Sequence, residues 1–447
     1  MSKRDPRCLS KVLVDDAEHP SLQLVSDALG TQADSGKDLT MTMWLILLLV
    51  FLCTCSAMAE HVVLSPADGR DSIALVKGGQ VQHMPAKRVE LVESVGGGGA
   101  CRYIRRSRNG DLYVTGVGLE GTMLKSTDGG HTWTRFKYQI NDLGFVSAFA
   151  ILNDDTFLIA FMSNERDHRK YFVARSTDLG KTWQVREMNA ERGPYSHVVA
   201  YNADMIQIAD GTVLLTGDFR VGPDGLTGEQ GEPLPLALVG TQPSVVRSTD
   251  GGLNWTDRTP IVLFGGEAHL IELPSGTLLA ASRYQRNHRI PGDPLHPIDS
   301  KLQNGFRPQF DSEEFKFPNS EKTNRVKNIF LSESHDGGRT WVNERRVTSF
   351  LQCPGDLVLL PGGTLVLTFL HRYPDDVAHT GIRAIVSDDQ GATWRDGTYI
   401  ISHGEGEDID SGSSYPTSIA MENGTIITVC GHFTGGRLRL EAVHWKP

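Results

Sequence analysis

Cysteine is scarce in this chain and makes no pattern. Beyond Ala59 only Cys101, Cys353 and Cys430 occur, an odd number at unrelated spacings. That excludes a disulfide framework and a cysteine-ligated metal site, and the three read as small buried apolar residues. No His/Asp/Glu cluster has metal-ligand spacing either, so His197, His269 and His371 read as structural histidines, and no metal or cofactor is implied. After residue 60 no stretch keeps a helical period, which argues against helical and α/β classes. No basic run is interleaved with aromatics, and the formal net charge is -10. Nucleic acid is therefore not an expected partner, whereas a polar, uncharged or acidic small ligand is compatible with the composition.

Long apolar runs are also missing, with one exception. Met43 to Cys55 is uninterrupted and is followed by Ser56-Ala57-Met58-Ala59. It is short for a membrane span, and Ala57-x-Ala59 suits a small-residue cleavage site. Residues 1–59 are thus expected to be an N-terminal extension and export signal, cut near Ala59, with Met41 or Met43 as an alternative start. The mature chain would be periplasmic, cell-surface or secreted; an uncleaved anchor is the other reading.

What the sequence does have is repetition. Five of seven tryptophans close one phrase, Ser-x-Asp-x-Gly-x-(Thr/Asn)-Trp: Ser126 to Trp133, Ser176 to Trp183, Ser248 to Trp255, Ser334 to Trp341 and Ser387 to Trp394. The Asp accepts bonds from turn amides, the Gly permits positive φ, and the Trp pins the turn to an apolar layer. Asp128, Asp178, Asp250, Asp336 and Asp388 are therefore expected to be structural turn carboxylates. Six hairpin turns interleave with these phrases, among them Asn109-Gly-Asp-Leu112, Asp210-Gly-Thr-Val213, Gly362-Gly-Thr-Leu365 and Asn423-Gly-Thr-Ile426. Four strands recurring every roughly 40 to 50 residues is the spacing of propeller blades. The expected fold is all-β: one six-bladed β-propeller over residues 60–447, with five such turns and a last blade ending in Arg437 to Trp445. A strand near His61 to Leu64 is expected to close the ring.

The repeat also orients the blades. If every Ser/Asp/Trp turn lies at one rim, the ends of second strands and the starts of first and third strands converge at the other, around the central mouth. That rim collects Glu267, Arg283, His371, Arg372, Arg383, Tyr415 and Arg102. Arginines hold carboxylates through paired N–H bonds. A tyrosine beside a glutamate and under a cationic field can be made nucleophilic, and a neutral phenol avoids driving an anion against an anionic substrate. The insertion from Tyr284 to Lys327, rich in Pro, Asn and charge, overhangs the mouth as a lid or specificity loop, or else as a plain surface excursion.

The Ser-x-Asp-x-Gly-x-Thr-Trp phrases resemble the Asp boxes of the sialidase (neuraminidase) superfamily, and the likeness covers nearly all of residues 60–447. The segment from Glu267 to Arg283 is similar to the one carrying that family's catalytic Glu and a carboxylate-binding Arg. Ser414-Tyr415-Pro416 resembles its Tyr segment before the last hairpin. The resemblance implies Tyr415 as nucleophile, Glu267 as partner base, Arg283 as a carboxylate binder with Arg383 or Arg372 completing the set, and Arg102 at the first inner strand. Two positions depart from the family. Cys101-Arg102-Tyr-Ile stands where Phe/Tyr-Arg-Ile-Pro is usual, and the loop Thr115 to Gly121 lacks the Asp that serves as general acid, leaving Glu120, Glu165 or Asp167 to substitute. The implied activity is release of a terminal acidic sugar from a glycan or glycoconjugate, with no stable protein partner. The alternatives are a non-catalytic carbohydrate-binding or scaffold propeller, and a hydrolase or lyase acting on another glycan.

Overall fold

The computed structural model describes residues 71–92, 102–164, 170–188, 195–199, 203–221, 241–262, 265–284, 328–348, 352–371, 381–402, 415–434 and 437–447. All of them lie in the unit Ala59–Pro447. They form six antiparallel sheets arranged as the blades of a propeller, with no helix among the described residues. The expected export signal, the segment His61 to Leu64 and nearly all of the insertion after Tyr284 lie outside them.

Blade one runs Arg102–Arg106, Leu112–Gly116, Thr122–Ser126 and Thr134–Lys137 from the axis outward. Blade two is Leu143–Ile151, Phe157–Ser163, Tyr171–Ser176 and Gln184–Glu187. In blade three both Tyr195–Val199 and Met205–Gln207 pair with Val213–Val221, followed by Thr241–Ser248 and Thr256–Pro260. Blade four is Gly265–Glu272, Leu278–Tyr284, Asn328–Ser334 and Val342–Arg346. Blade five is Gln352–Leu359, Leu365–His371, Gly381–Ser387 and Thr398–Ile400, extended outward by the hairpin Ser72–Lys77/Gln80–Pro85. Blade six is Thr417–Ala420, Ile426–Thr434 and Arg437–Trp445, completed by Lys87–Val92.

The closing strand is thus Lys87–Val92, and not the expected His61 to Leu64. The alternation of Lys-Arg-Val-Glu-Leu-Val explains the choice. Val89 and Leu91 are buried in the seam with blade one, while Arg88 turns the other way and meets the buried Glu441 at 2.8 Å. Its Nη2 also donates to the Ile401 carbonyl of blade five at 2.6 Å. One side chain therefore staples the last strand, the closing strand and the neighbouring blade.

Apolar side chains fill each of the six seams separately, and every seam receives one tryptophan from the blade that follows it. Trp133 packs between blades six and one, Trp183 between one and two, and Trp255 between two and three. Trp341 and Trp394 continue the series between blades three and four and blades four and five. Trp445 of the last strand occupies the sixth seam in place of a turn residue, its Nε1 donating to Thr428 Oγ1 at 3.0 Å. The different ending of blade six is a second way of delivering the same indole.

The turns themselves are self-satisfied. In the first, Asp128 Oδ1 accepts from Ser126 Oγ (2.8 Å) and from the amides of His131 (3.0 Å) and Thr132 (2.9 Å). Its Oδ2 accepts from Thr132 Oγ1 at 2.7 Å. Trp133 Nε1 then donates to the Gly130 carbonyl at 3.0 Å. The bonds recur at Asp178, Asp250 and Asp336. In the fifth turn the carboxylate is Asp389, which takes Ser387 Oγ at 2.8 Å and the Thr393 amide at 2.8 Å. Asp388, expected for that role, sits one residue too early to reach inward and pairs with Arg395 outside. Leu179 and Gln390 hold positive φ (60° each) where the other turns have glycine. A left-handed backbone at such residues is costly, so the carboxylate bonds impose it.

Two outcomes follow from these contacts. The turn carboxylates Asp128, Asp178, Asp250 and Asp389 are held by their hydrogen bonds at about 2, below the ordinary 3.8. A depressed carboxylate stabilises the fold above its unfolded value and loses that contribution as pH falls through its folded one. Thermal stability should therefore fall between pH about 4 and about 2, with a shallower fall in Asp250→Asn; an unchanged slope in that variant would refute the assignment. Glu441→Ala, which strands the buried Arg88 charge, should cost about 3–5 kcal/mol in chemical denaturation.

Candidate active site

Two glycines prepare the site. Gly265 and Gly266 open the inner strand of blade four, and side chains there have no room. A Cβ on Gly265 would lie 2.2 Å from the Arg283 carbonyl, and one on Gly266 would lie 2.5 Å from Asp218 Oδ2. The register against Leu278–Tyr284 then slips between Gly266 and Ala268, leaving Glu267 as the bulged residue with φ at 48°. Bulges re-aim a side chain, and a non-glycine residue held left-handed is a strain of order 1–3 kcal/mol that surrounding contacts must offset. They do so here: the Glu267 amide donates to Asp218 Oδ1 at 2.9 Å, across the seam from blade three.

The bulge presents the Glu267 carboxylate to two partners. Its Oε1 forms an ion pair with Arg283 Nη1, from the end of the next strand, and accepts from the Tyr415 hydroxyl at 3.3 Å. That second bond is longer than the roughly 2.7 Å common for O–H···O contacts. Glu267 Oε2 and Arg283 Nε are both buried and have no hydrogen-bond partner among the described residues. Burial works against the Arg283 charge, but the negative groups Glu267 and Asp218, with Tyr415, raise its pKa, so the guanidinium stays charged. Tyr415 is half-buried just ahead of the inner strand of blade six and packs against the seam clusters of blades five/six and one/two. Blades four and six, far apart in sequence, thus bring a phenol, a carboxylate and a guanidinium together at one rim.

The other expected residues are placed differently. Arg383 lies on the third strand of blade five, only 2% exposed, and its Nη1 donates to the carbonyls of Ile382 (3.3 Å) and Ser402 (3.1 Å). It shares a strand face with Ile385, which packs in the seam between blades four and five. Glu120 is exposed on the blade-one loop at the mouth, where its Oε1 accepts from the Gly118 amide at 3.0 Å. Arg102 begins the inner strand of blade one, but its side chain lies outside the described residues, as do the whole of Arg372, Glu165 and Asp167. Gln352 and His371 share the rim, with Nε2 and Nδ1 at 3.1 Å. No described group of His, Cys, Asp and Glu has the arrangement of a metal site. An opening of about 520 Å³ at the opposite rim is lined by hairpin turns such as Leu360 to Gly363 and contains none of these residues.

Asp218 was not singled out from the sequence. It stands in Thr216-Gly-Asp-Phe-Arg near the end of the second strand of blade three, the place Arg283 occupies in blade four. Applying the strand-end rule to that blade would have found it.

No protein-family model and no curated protein matches the chain. Solved structures do. A protein of unknown function from Dyadobacter fermentans superposes with a TM-score of 0.56 at 17% identity, covering 81% of this chain and 99% of that one. A Hadza microbial sialidase gives 0.51 at 15% identity, covering 79% of this chain and 66% of the sialidase. The GH93 alpha-L-arabinofuranosidase of Fusarium graminearum, solved with arabinobiose, gives 0.51 at 11% identity over 84% and 98%. At these identities the likeness is one of fold, and two of the three similar folds carry glycoside hydrolases.

Gly266→Ala tests the construction of the bulge. The added methyl must push the Asp218 carboxylate away from the Glu267 amide, so the variant should lose about 1–3 kcal/mol of stability in denaturant titration. A neutral result would mean that the strand has room the geometry denies it.

Proposed function

We propose that this chain is an exo-acting glycoside hydrolase that releases a terminal acidic sugar, with Tyr415 as nucleophile and Glu267 as its base. The observation that carries the reading is the Tyr415 hydroxyl donating to Glu267 Oε1 at 3.3 Å beside Arg283. In the first half-reaction Tyr415 Oη bonds to the anomeric carbon, its proton passes to Glu267, and the glycosidic C–O bond breaks. The leaving oxygen takes its proton from an acid at the mouth, for which Glu120, Glu165 and Asp167 are the candidates. Water then attacks the anomeric carbon, giving its proton to the carboxylate that served as acid, while the aryl glycoside bond breaks and the phenolate recovers its proton from Glu267. Arg283 pairs with the Glu267 carboxylate and offers cationic stabilisation to the phenolate. The carboxylate of the sugar would be met by Arg283 with Arg383, Arg372 or Arg102. Export through Met43 to Ala59 belongs to the same proposal and rests on sequence alone.

One observation favours a second substrate. Arg283 is engaged by Glu267, and Arg383 donates to main-chain carbonyls, so both described arginines expected to bind a sugar carboxylate are already engaged. A neutral terminal pentose would need no such cations, and the structurally similar fungal enzyme is solved with arabinobiose.

The decisive assay compares aryl sialoside and aryl arabinofuranoside release by the wild type and by Tyr415→Phe. The proposal expects sialoside turnover that falls by roughly a hundredfold or more in the variant. Arabinofuranoside turnover alone would establish the neutral substrate, and glycan binding without turnover would leave a binding propeller.

A further inference from the structure

Glu267 and Tyr415 come from blades that do not touch along the inner ring, because the inner strand of blade five stands between them. A single carboxylate on that strand reaches both sides. Asp356 Oδ1 meets His269 Nδ1 at 3.3 Å, and His269 is two residues beyond Glu267 on the same strand. Asp356 Oδ2 accepts the amide of Ser418 at 2.5 Å, three residues beyond Tyr415. Asp356 and His269 are both buried. On its other side the Glu267 strand is tied to blade three through Asp218 and through the Leu270 amide, which donates to Asp204 Oδ2 at 2.9 Å. The Glu267 segment is thus fixed from one flank by blade three, and its spacing from the Tyr415 segment runs through Asp356.

We infer that Asp356, held by His269, is a positioning residue that sets the separation of the Tyr415 hydroxyl and the Glu267 carboxylate. This rests on the reading of Tyr415 and Glu267 as the reacting pair. Asp356 and His269 act through the strands that carry the pair.

The pair has a charge state to titrate. Burial disfavours a protonated His269, but the hydrogen bond to Asp356 and the charges of Asp204 and Asp356 outweigh it, with Arg105 opposing, so its pKa lies above the ordinary imidazole value. These groups come from three other blades: Asp356 from blade five, Asp204 from blade three, and Arg105 from blade one, whose Nη2 lies 2.5 Å from Asp204 Oδ1. A raised imidazole contributes its stabilisation at low pH and loses it as pH rises through the folded value. At that point Asp356 faces a neutral partner, and the strut between blades four and six slackens.

Full-length protein labelled with ζ-¹³C tyrosine reports on the phenol directly, with the Tyr415 signal assigned by its loss in Tyr415→Phe. Between pH about 5 and about 9 the wild-type signal should move with a single midpoint above the ordinary imidazole value, and His269→Gln should remove that movement. Asp356→Asn should hold the signal near its high-pH position throughout. On the active substrate, His269→Gln should lower kcat about tenfold while KM stays within about threefold. A Tyr415 signal that is flat in the wild type, or that moves identically in His269→Gln, overturns the inference. If His269→Gln does not fold, Asp356→Asn supplies the comparison, and a Tyr415 signal that still moves there as in the wild type overturns the inference. Because the spectrum needs no turnover, an inactive wild type with a responsive Tyr415 signal would sink the hydrolase reading and leave the strut standing.

Discussion

Strand pairing stops at the edge of each blade, so the angular arrangement of this ring depends on packing and hydrogen bonds across the seams. Around the axis that belt is continuous. Thr417 Oγ1 accepts the Ile104 amide between blades six and one, and the Tyr103 hydroxyl donates to the Ser147 carbonyl between one and two. The same Ser147 carbonyl takes the Ala203 amide from blade three. Asp204 and Asp218 bind blade-four amides, Asp356 meets His269, and Ser418 closes the last interval through Asp356 and Thr368. Buried carboxylates are costly to desolvate and persist where several donors satisfy them, which is the situation of Asp204 and Asp356. A second set of bonds links the opposite rim, where Arg175, Arg247, Arg345 and His444 each reach a glycine carbonyl in the turn of the next blade.

The candidate site is an outgrowth of that belt. Asp218 both spans a seam and holds the strained Glu267 amide, so the same bond that orients blade three against blade four aims the carboxylate. Arg283 follows from a strand end, Tyr415 from the approach to the next inner strand but one. A buried Glu267 oxygen without a described partner is an unusual thing to keep, since an unsatisfied buried acceptor costs about 1–3 kcal/mol. That atom lies on the same carboxylate that meets Arg283 and Tyr415.

Legibility followed the range of the interactions. The blade number, the hairpins and the Ser/Asp/Trp turns could be read because each is made within about ten residues, by a local pattern of turn donors, glycine and an indole. Even there, the doubled Asp388-Asp389 shows the limit: only the two-residue step from Ser387 selects Asp389, and the neighbouring carboxylate looks the same in composition. The common rim of Glu267, Arg283 and Tyr415 was legible because the turn repeat fixes which end of every strand faces the mouth. The closing strand was not, because several segments ahead of the first blade are apolar enough, and the choice of Lys87–Val92 rests on Arg88 finding Glu441 more than three hundred residues away.

By itself the sequence determined an all-β ring of six repeating units, its polarity and the residue types at its mouth, since these follow from turn chemistry and strand period within each repeat. Only the tertiary structure decided which of those residues meet. Whether Glu267 faces Arg283 and Tyr415, whether Arg383 turns to the mouth or to the carbonyls of Ile382 and Ser402, and which carboxylate bridges blades four and six are all set by the angle between blades. That angle arises from seam packing and from bonds between residues remote in the chain, for which no local pattern of residues carries a signal.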